Sequence, residues 1–226
     1  MARPVDQDTW RNILASAVLI LDQLDRAGNG RPDLVMGGGM VLMFRFQHSL
    51  SKDVGFFIHD VQWLSFLTPR LNDYVAAMVS DYSEQANFVK LVLPHGDLDF
   101  IAATQVTGIA PSEFLDFGNS RFALESTAEI LAKKLQYRAA FFKRRDVFDL
   151  AAAIRLDPVS ARAAVRATVP QGPVLMRRLT HMAGLALPEL CADIQPLNGF
   201  DGLFGSMIES VWQFVAETSR DSALKP

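Results

Sequence analysis

Cysteine is almost absent from this chain: its 226 residues include only Cys191. A single cysteine excludes an internal disulfide and a multi-cysteine zinc site, and it points to a reducing compartment. "ELCADI" offers no nearby His or Lys to activate the thiol, so Cys191 is expected as a small buried hydrophobe and not a nucleophile. Long apolar runs are missing too. The opening "MARPVDQDTW" is charged and mixed. The run "NILASAVLIL" is too short to cross a bilayer and is ended by Asp22 and Asp25. No membrane partner and a cytoplasmic location are therefore expected. Internal repeats and low-complexity segments are also absent.

A large excess of one charge is missing overall, since the formal net charge is −3, but the charges are segregated. Residues 133–178 carry eleven Lys or Arg against three acids, a local +8, while the remainder carries −11. Segregation of this size marks the basic segment as a candidate for binding phosphates.

What is present is a folded globular chain, half hydrophobic and long enough for a substantial core. Apolar residues recurring at three and four (Trp10, Ile13, Leu14, Leu21, Leu24) predict a helix from about Asp8 to Leu24. "DRAGNGRPD" is a loop, "LVMGGG" a short strand entering a glycine turn, and "MVLMFRFQ" a helix opening after it. "DVGFFI" is the next strand. Residues 61–80 are predicted mostly helical, with a break at Pro69. "FVKLVL" and "DLDFIAA" form a hairpin across "PHG".

After about Ser120 strand signals vanish. "STAEILAKKLQYRAAFFKRRDVFDLAAAIRL" reads as one long helical stretch capped at Ser126 or Thr127, with Glu129 a favourable first-turn charge. Asp157 followed by Pro158 starts another helix, and "LFGSMIESVWQFVAETSR" closes the chain as an amphipathic one. The fold class is thus α+β: a mixed sheet core with flanking helices over residues 1–120, then a helical lobe over 121–226.

The order strand, Gly38-Gly39, helix, Asp53 on the next strand and Asp99 on a later one suits phosphoryl chemistry. A glycine turn at a helix N-terminus presents free N–H groups and the positive end of the helix dipole to a phosphate. An acid on each of two neighbouring strands can hold magnesium, which takes oxygen ligands. By spacing alone a plain turn with acids at strand ends is the commoner meaning of this pattern. The helical half adds Lys134, Arg138 and Arg145. On one continuous helix these fall within roughly 40° of each other, a basic stripe beside the apolar Leu135 and Phe142.

These residues resemble the AbiEii/AbiGii-type nucleotidyltransferase toxins of the DNA polymerase β-like superfamily, over most of residues 33–155. "GGM" (Gly38, Gly39, Met40) stands where that family has two glycines and a hydroxyl residue. "SKDVG" (Ser51, Asp53, Gly55) stands where it has Ser-x-Asp-x-Asp, with His48 just before it. "GDLDFIAA" supplies the third carboxylate, Asp99. The helical signature maps onto Glu129, Lys134, Arg145, Asp146 and Asp149. The resemblance implies a nucleotidyltransferase fold, a nucleoside triphosphate substrate, Mg2+, transfer to tRNA or protein, and a separately encoded antitoxin. It implies catalytic roles for Asp53, Asp99, Lys134, Arg145 and Asp146. Nucleotide would be held by Gly38, Gly39, Ser51, Lys134 and Arg138, and metal by Asp53 and Asp99.

Two departures fall in the catalytic motif. Met40 replaces the hydroxyl residue, and Gly55 replaces the second carboxylate. Asp53 and position 55 share a strand face, so a first-shell ligand is lost. Asp97, on the same face as Asp99, is a candidate third metal carboxylate. The expectation is a weakened nucleotidyltransferase. The alternative is an inactive nucleotidyltransferase-fold protein that binds nucleotide, RNA or a partner protein.

Overall fold

The computed structural model describes residues 9–223. The first helix, α1, spans Thr9–Arg26 and buries Ile13, Leu14, Ala17, Ile20, Leu21 and Leu24, the three-and-four spacing read from the sequence. Its expected cap, Asp8, lies outside the described residues. Strand β1 (Val35–Gly37) runs directly into α2 (Gly38–Phe46) and is followed by β2 (Val54–Ile58). Short helices α3 (Leu64–Leu67) and α4 (Asp73–Met78) come next, separated by the Pro69 break. Then follow β3 (Asp81–Gln85), β4 (Phe88–Leu93), β5 (Gly96–Ala102), β6 (Glu113–Phe117) and β7 (Ser120–Leu124).

The strands form one mixed sheet in the order β3-β4-β5-β2-β1-β7-β6. β2 pairs in parallel with β5, and β1 in parallel with β7, while the other neighbours are antiparallel. Strict alternation sorts the faces. Val54, Phe56, Ile58, Leu98, Phe100, Val89 and Leu91 are buried on one side, where Phe56 packs against Phe100 and Phe122. Gly55, Phe57, Asp97, Asp99 and Lys90 fall on the other, half-buried side.

Three strands went unread in the sequence: β3, β6 and β7. The first two are edge strands, a polar "DYSEQ" and an "EFLDF" with no buried residue, and neither shows strict apolar alternation, so only hairpin pairing identifies them. β7 extends the sheet past residue 120 to Leu124.

The helical part contains α5 (Thr127–Arg138), α6 (Arg144–Leu156), α7 (Pro158–Ala167), α8 (Gly172–Ala183), α9 (Leu187–Cys191) and α10 (Met207–Ala223). Ser126 caps α5 by accepting from the Glu129 N–H at 3.1 Å, and Asp157 caps α7 through Ser160. The single long helix expected over this region is broken. Ala139–Phe141 form a tight 3-10 turn, Phe142 is extended (φ −52°, ψ 123°), and Asp146 restarts the helix by accepting from the Lys143 N–H. Cys191, at the end of the one-turn α9, is half-buried and free, not fully enclosed.

The chain divides into two compact units. One comprises residues up to Val41, Ser51–Thr104 and Pro111–Glu125; the other comprises Leu42–Leu50, Gln105–Ala110 and the chain from Ser126 onward. The sheet belongs wholly to the first, while the end of α2 and the strand-preceding segment with His48 belong to the second.

Candidate active site

In the sheet unit the site residues lie along one row of the half-buried face. Register sets Gly37 opposite Gly55, Gly55 opposite Asp99, and Asp99 opposite Lys90, across β1, β2, β5 and β4. Asp53 stands one residue ahead of β2, and Asp97 two residues before Asp99 on β5. The parallel pairing of β2 with β5 thus brings the acids of the two motifs to neighbouring strands.

Two glycines on β1 and α2 are needed where they stand. A β-carbon on Gly37 would overlap the carboxylate of Glu125 and the ring of Phe57. Gly38 turns the chain from strand to helix with φ +75°, in the region that favours glycine. Gly39 follows in the first turn of α2. Ser51 is buried, and so is Met40, which is fully enclosed in the core. Met40 is therefore a packing residue, and its thioether replaces a hydroxyl only in the motif's spelling. At Gly55 the backbone is ordinary and a β-carbon would meet only the Gly37 carbonyl, at 3.8 Å. The missing carboxylate is absent without any steric reason.

The side chain among these acids is a lysine. Lys90 forms an ion pair with Asp97. Burial alone pushes its ammonium down. The Asp97 hydrogen bond and then the charges of Asp99, Asp97 and Asp53 outweigh that and hold it above the ordinary lysine value. Lys90 belongs to no motif. The only sign of it in the sequence is a charge at the polar phase of "FVKLVL", and its partners become visible only once strand register is known. Among the described residues no group of three or more His, Cys, Asp or Glu is gathered as a metal cage. A cavity of about 480 Å³ lies elsewhere in this unit, lined by Gln23, Asn29, Phe66, Asn72 and Tyr74, and contains none of these residues.

In the helical unit the signature residues form a buried charge network. Lys134 Nζ donates to Asp146 Oδ1 and to Asp149 Oδ2, both at 2.6 Å. His48 Nε2 lies 2.7 Å from Asp149 Oδ1, with its ring stacked on Phe148. Arg138 approaches Asp146 at 3.6 Å. Arg145 donates to the Leu50 carbonyl at 2.9 Å. Glu129 accepts from the N–H groups of Val106 and Thr107, at 2.9 and 2.8 Å, and from the Thr107 hydroxyl.

These partners decide the protonation states. Burial pushes Asp149 up, but the Lys134 charge, then the His48 hydrogen bond and the His48 and Arg145 charges, hold it well below the usual carboxylate range. Burial pushes Lys134 down, and the charges of Asp146 and Asp149 raise it above the usual lysine value. Glu129 is raised by burial and lowered further by Thr107, Val106 and Lys133.

The basic stripe is corrected by this geometry. On one straight helix Lys134 and Asp146 would stand about 18 Å apart at 1.5 Å per residue. The break at 139–143 folds the chain back and brings them to 2.6 Å. Lys134 is therefore a buried cation between two carboxylates, and Arg145 is turned to a backbone carbonyl. Other positive charges of the 133–178 segment are also engaged within the unit: Lys133 with Glu129, Arg144 with Asp193, Arg162 with Asp221, and Arg178 with the Phe142 carbonyl. Among the described residues no helix is long and apolar enough to cross a membrane.

A family model described as nucleotidyl transferase AbiEii toxin, type IV TA system, matches residues 20–186. A search of curated proteins finds no match to the chain. The matched stretch covers most of the chain and contains the glycine turn, Asp53, Asp97 and Asp99, and the Lys134–Asp149 network. The chain belongs to the AbiEii nucleotidyltransferase toxin family of type IV toxin–antitoxin systems.

Proposed function

We propose that this chain transfers a nucleoside monophosphate from a nucleoside triphosphate to a tRNA end, using Mg2+, and that a cognate antitoxin restrains it in a reducing, cytoplasmic setting. The observation that supports this reading is the sheet register, which pairs β2, directly after Asp53, in parallel with β5, which carries Asp99, with the glycine turn opening α2 one strand further along. The N–H groups of Gly38 and Gly39 would donate to triphosphate oxygens, helped by the positive end of the nine-residue α2. The acceptor hydroxyl attacks the α-phosphorus, its proton passes to a carboxylate oxygen of Asp99, and the bond to the β-phosphate breaks, releasing pyrophosphate.

The oxygen donors of Asp53 and Asp99 suit one magnesium ion, whereas Asp97 is already engaged by Lys90. Their oxygen chemistry thus fits a divalent ion. An ion held there would screen charge on the triphosphate as the transfer proceeds.

Lys134, Arg145 and Asp146 are assigned as positioning residues, since their polar atoms face one another or the backbone. Arg138, with its side chain half exposed, is the member of the group able to reach a phosphate. One observation favours the alternative, a protein that binds nucleotide or RNA without turnover: Gly55 removes a carboxylate from the row.

The test is incubation of the chain with α-phosphate-labelled nucleoside triphosphates and total tRNA. Label entering tRNA, lost in Asp53→Ala and Asp99→Ala, is expected. Label that persists in both variants contradicts the assignment, and no transfer beside measurable nucleotide binding supports the alternative.

A further inference from the structure

In the sheet unit Lys90 is paired with Asp97 and stands cross-strand from Asp99, and the row that holds Asp99 lacks a carboxylate at Gly55. We infer that the Lys90 ammonium is a built-in cation of the carboxylate face that weakens the binding of a divalent ion beside it. The inference rests on the proposed reading only in taking this face as the site.

Three observations carry it. First, register places Lys90 directly opposite Asp99, and Asp99 in turn opposite Gly55. Lys90 is therefore a fixed member of the row and not a long side chain wandering in from a loop. Second, its ammonium is ion-paired to Asp97, the one acid that could have replaced the carboxylate missing at Gly55. Third, Asp99 and Asp53 both act electrostatically on the same ammonium, so one positive charge is shared by the whole cluster.

The charge arithmetic agrees. Three carboxylates offer about three negative charges, and two divalent ions would bring about four positive ones. Lys90 already brings one positive charge to that face. A hard oxygen-seeking cation entering beside Lys90 must also approach a like charge and compete for Asp97. Neutralising Lys90 removes that repulsion and frees Asp97. Lys90 sits on a half-exposed strand face, so Gln at this position keeps the fold.

The experiment is Mn2+ binding to the nucleotide-free protein, read by electron paramagnetic resonance of the free ion and by calorimetry. Lys90→Gln is expected to bind Mn2+ at least tenfold more tightly than the unaltered chain. Lys90→Arg, which keeps the charge, is expected to stay within about twofold of it. Adding Asp99→Asn to Lys90→Gln is expected to abolish the gain. Equal affinity in the unaltered chain and Lys90→Gln, or a gain that survives Asp99→Asn, overturns the inference. A Lys90→Gln chain whose circular dichroism departs from that of the unaltered protein is replaced by Lys90→Met, to which the same outcomes apply. Nucleotide transfer does not enter the measurement, so a chain that binds Mn2+ as expected but labels no tRNA refutes the proposed reaction alone.

Discussion

Replacing Lys134 with methionine keeps most of the side-chain volume and removes the charge. In the folded chain the ammonium lies 2.6 Å from both Asp146 and Asp149, and all three side chains are buried. Without it two carboxylates face each other, with His48, the Lys143 N–H and the more distant Arg138 and Arg145 as their remaining partners. Breaking a buried pair by removing one member costs about 3–5 kcal/mol, because the other charge is left uncompensated. Met fills the space of the stem, so the cavity contribution is small. The assay is urea unfolding at pH 7 followed by far-ultraviolet circular dichroism. With a slope of about 2 kcal/mol per molar urea, the midpoint falls by roughly 1.5–2.5 M. Asp149→Asn alone and in combination completes a double-mutant cycle, and the two losses should be strongly non-additive. A loss under about 1 kcal/mol, or additive losses, would show that the network is solvated and that the buried ion-pair reasoning is wrong.

Further outcomes follow from the same structure. Asp149 is depressed in the folded state, so its contribution is complete above its ordinary value of 3.8 and is lost as pH falls through the lower folded value. Lys134 is raised, so its contribution is complete below 10.5 and is lost as pH rises past the folded value. Urea midpoints measured against pH should therefore drop at both ends in the unaltered chain and lose those drops in the Lys134→Met, Asp149→Asn double variant. Gly55→Ala should be neutral or stabilising by about 0.5–1 kcal/mol, since only the Gly37 carbonyl lies near. Gly96→Ala, at φ +147° with the Lys52 carbonyl in the way of a β-carbon, should cost roughly 1–3 kcal/mol; equal melting temperatures for the two would contradict this reading. Gly55→Asp should fold and raise transfer, and a filter-binding series should show tRNA affinity falling steeply with salt if phosphate contacts carry it.

The sequence exposed those parts of the fold that depend on apolar phase. Four of the six buried positions of α1 (Ile13, Leu14, Leu21 and Leu24) and the alternation of "FVKLVL" and "DLDFIAA" were legible because burial on one face leaves a period. The edge strands β3 and β6 were not, because neither buries a residue and both are defined by hydrogen-bonded neighbours. The helix break at 139–143 was hidden for a different reason. "AAFFK" contains neither Gly nor Pro, so helix propensity continues through it, and the turn is held by Asp146 capping Lys143. That one break converts a supposed open stripe into a buried Lys134–Asp146–Asp149 cluster. In the sheet unit Asp97 and Asp99 were visible as acids on a strand and Asp53 as an acid that the structure leaves just ahead of one, whereas Lys90 required the β4–β5 register.

The measurement that bears most directly on the central claim uses the same nucleoside triphosphate labelled separately at the α- and γ-phosphates, with total tRNA as acceptor and with the unaltered chain beside Asp99→Asn. The claim is that the carboxylate face of β2 and β5 moves a nucleoside monophosphate. It requires the α label to enter tRNA, the γ label to leave as pyrophosphate, and both to cease in Asp99→Asn. Entry of the γ label into the acceptor, or unchanged α transfer in Asp99→Asn, would contradict it.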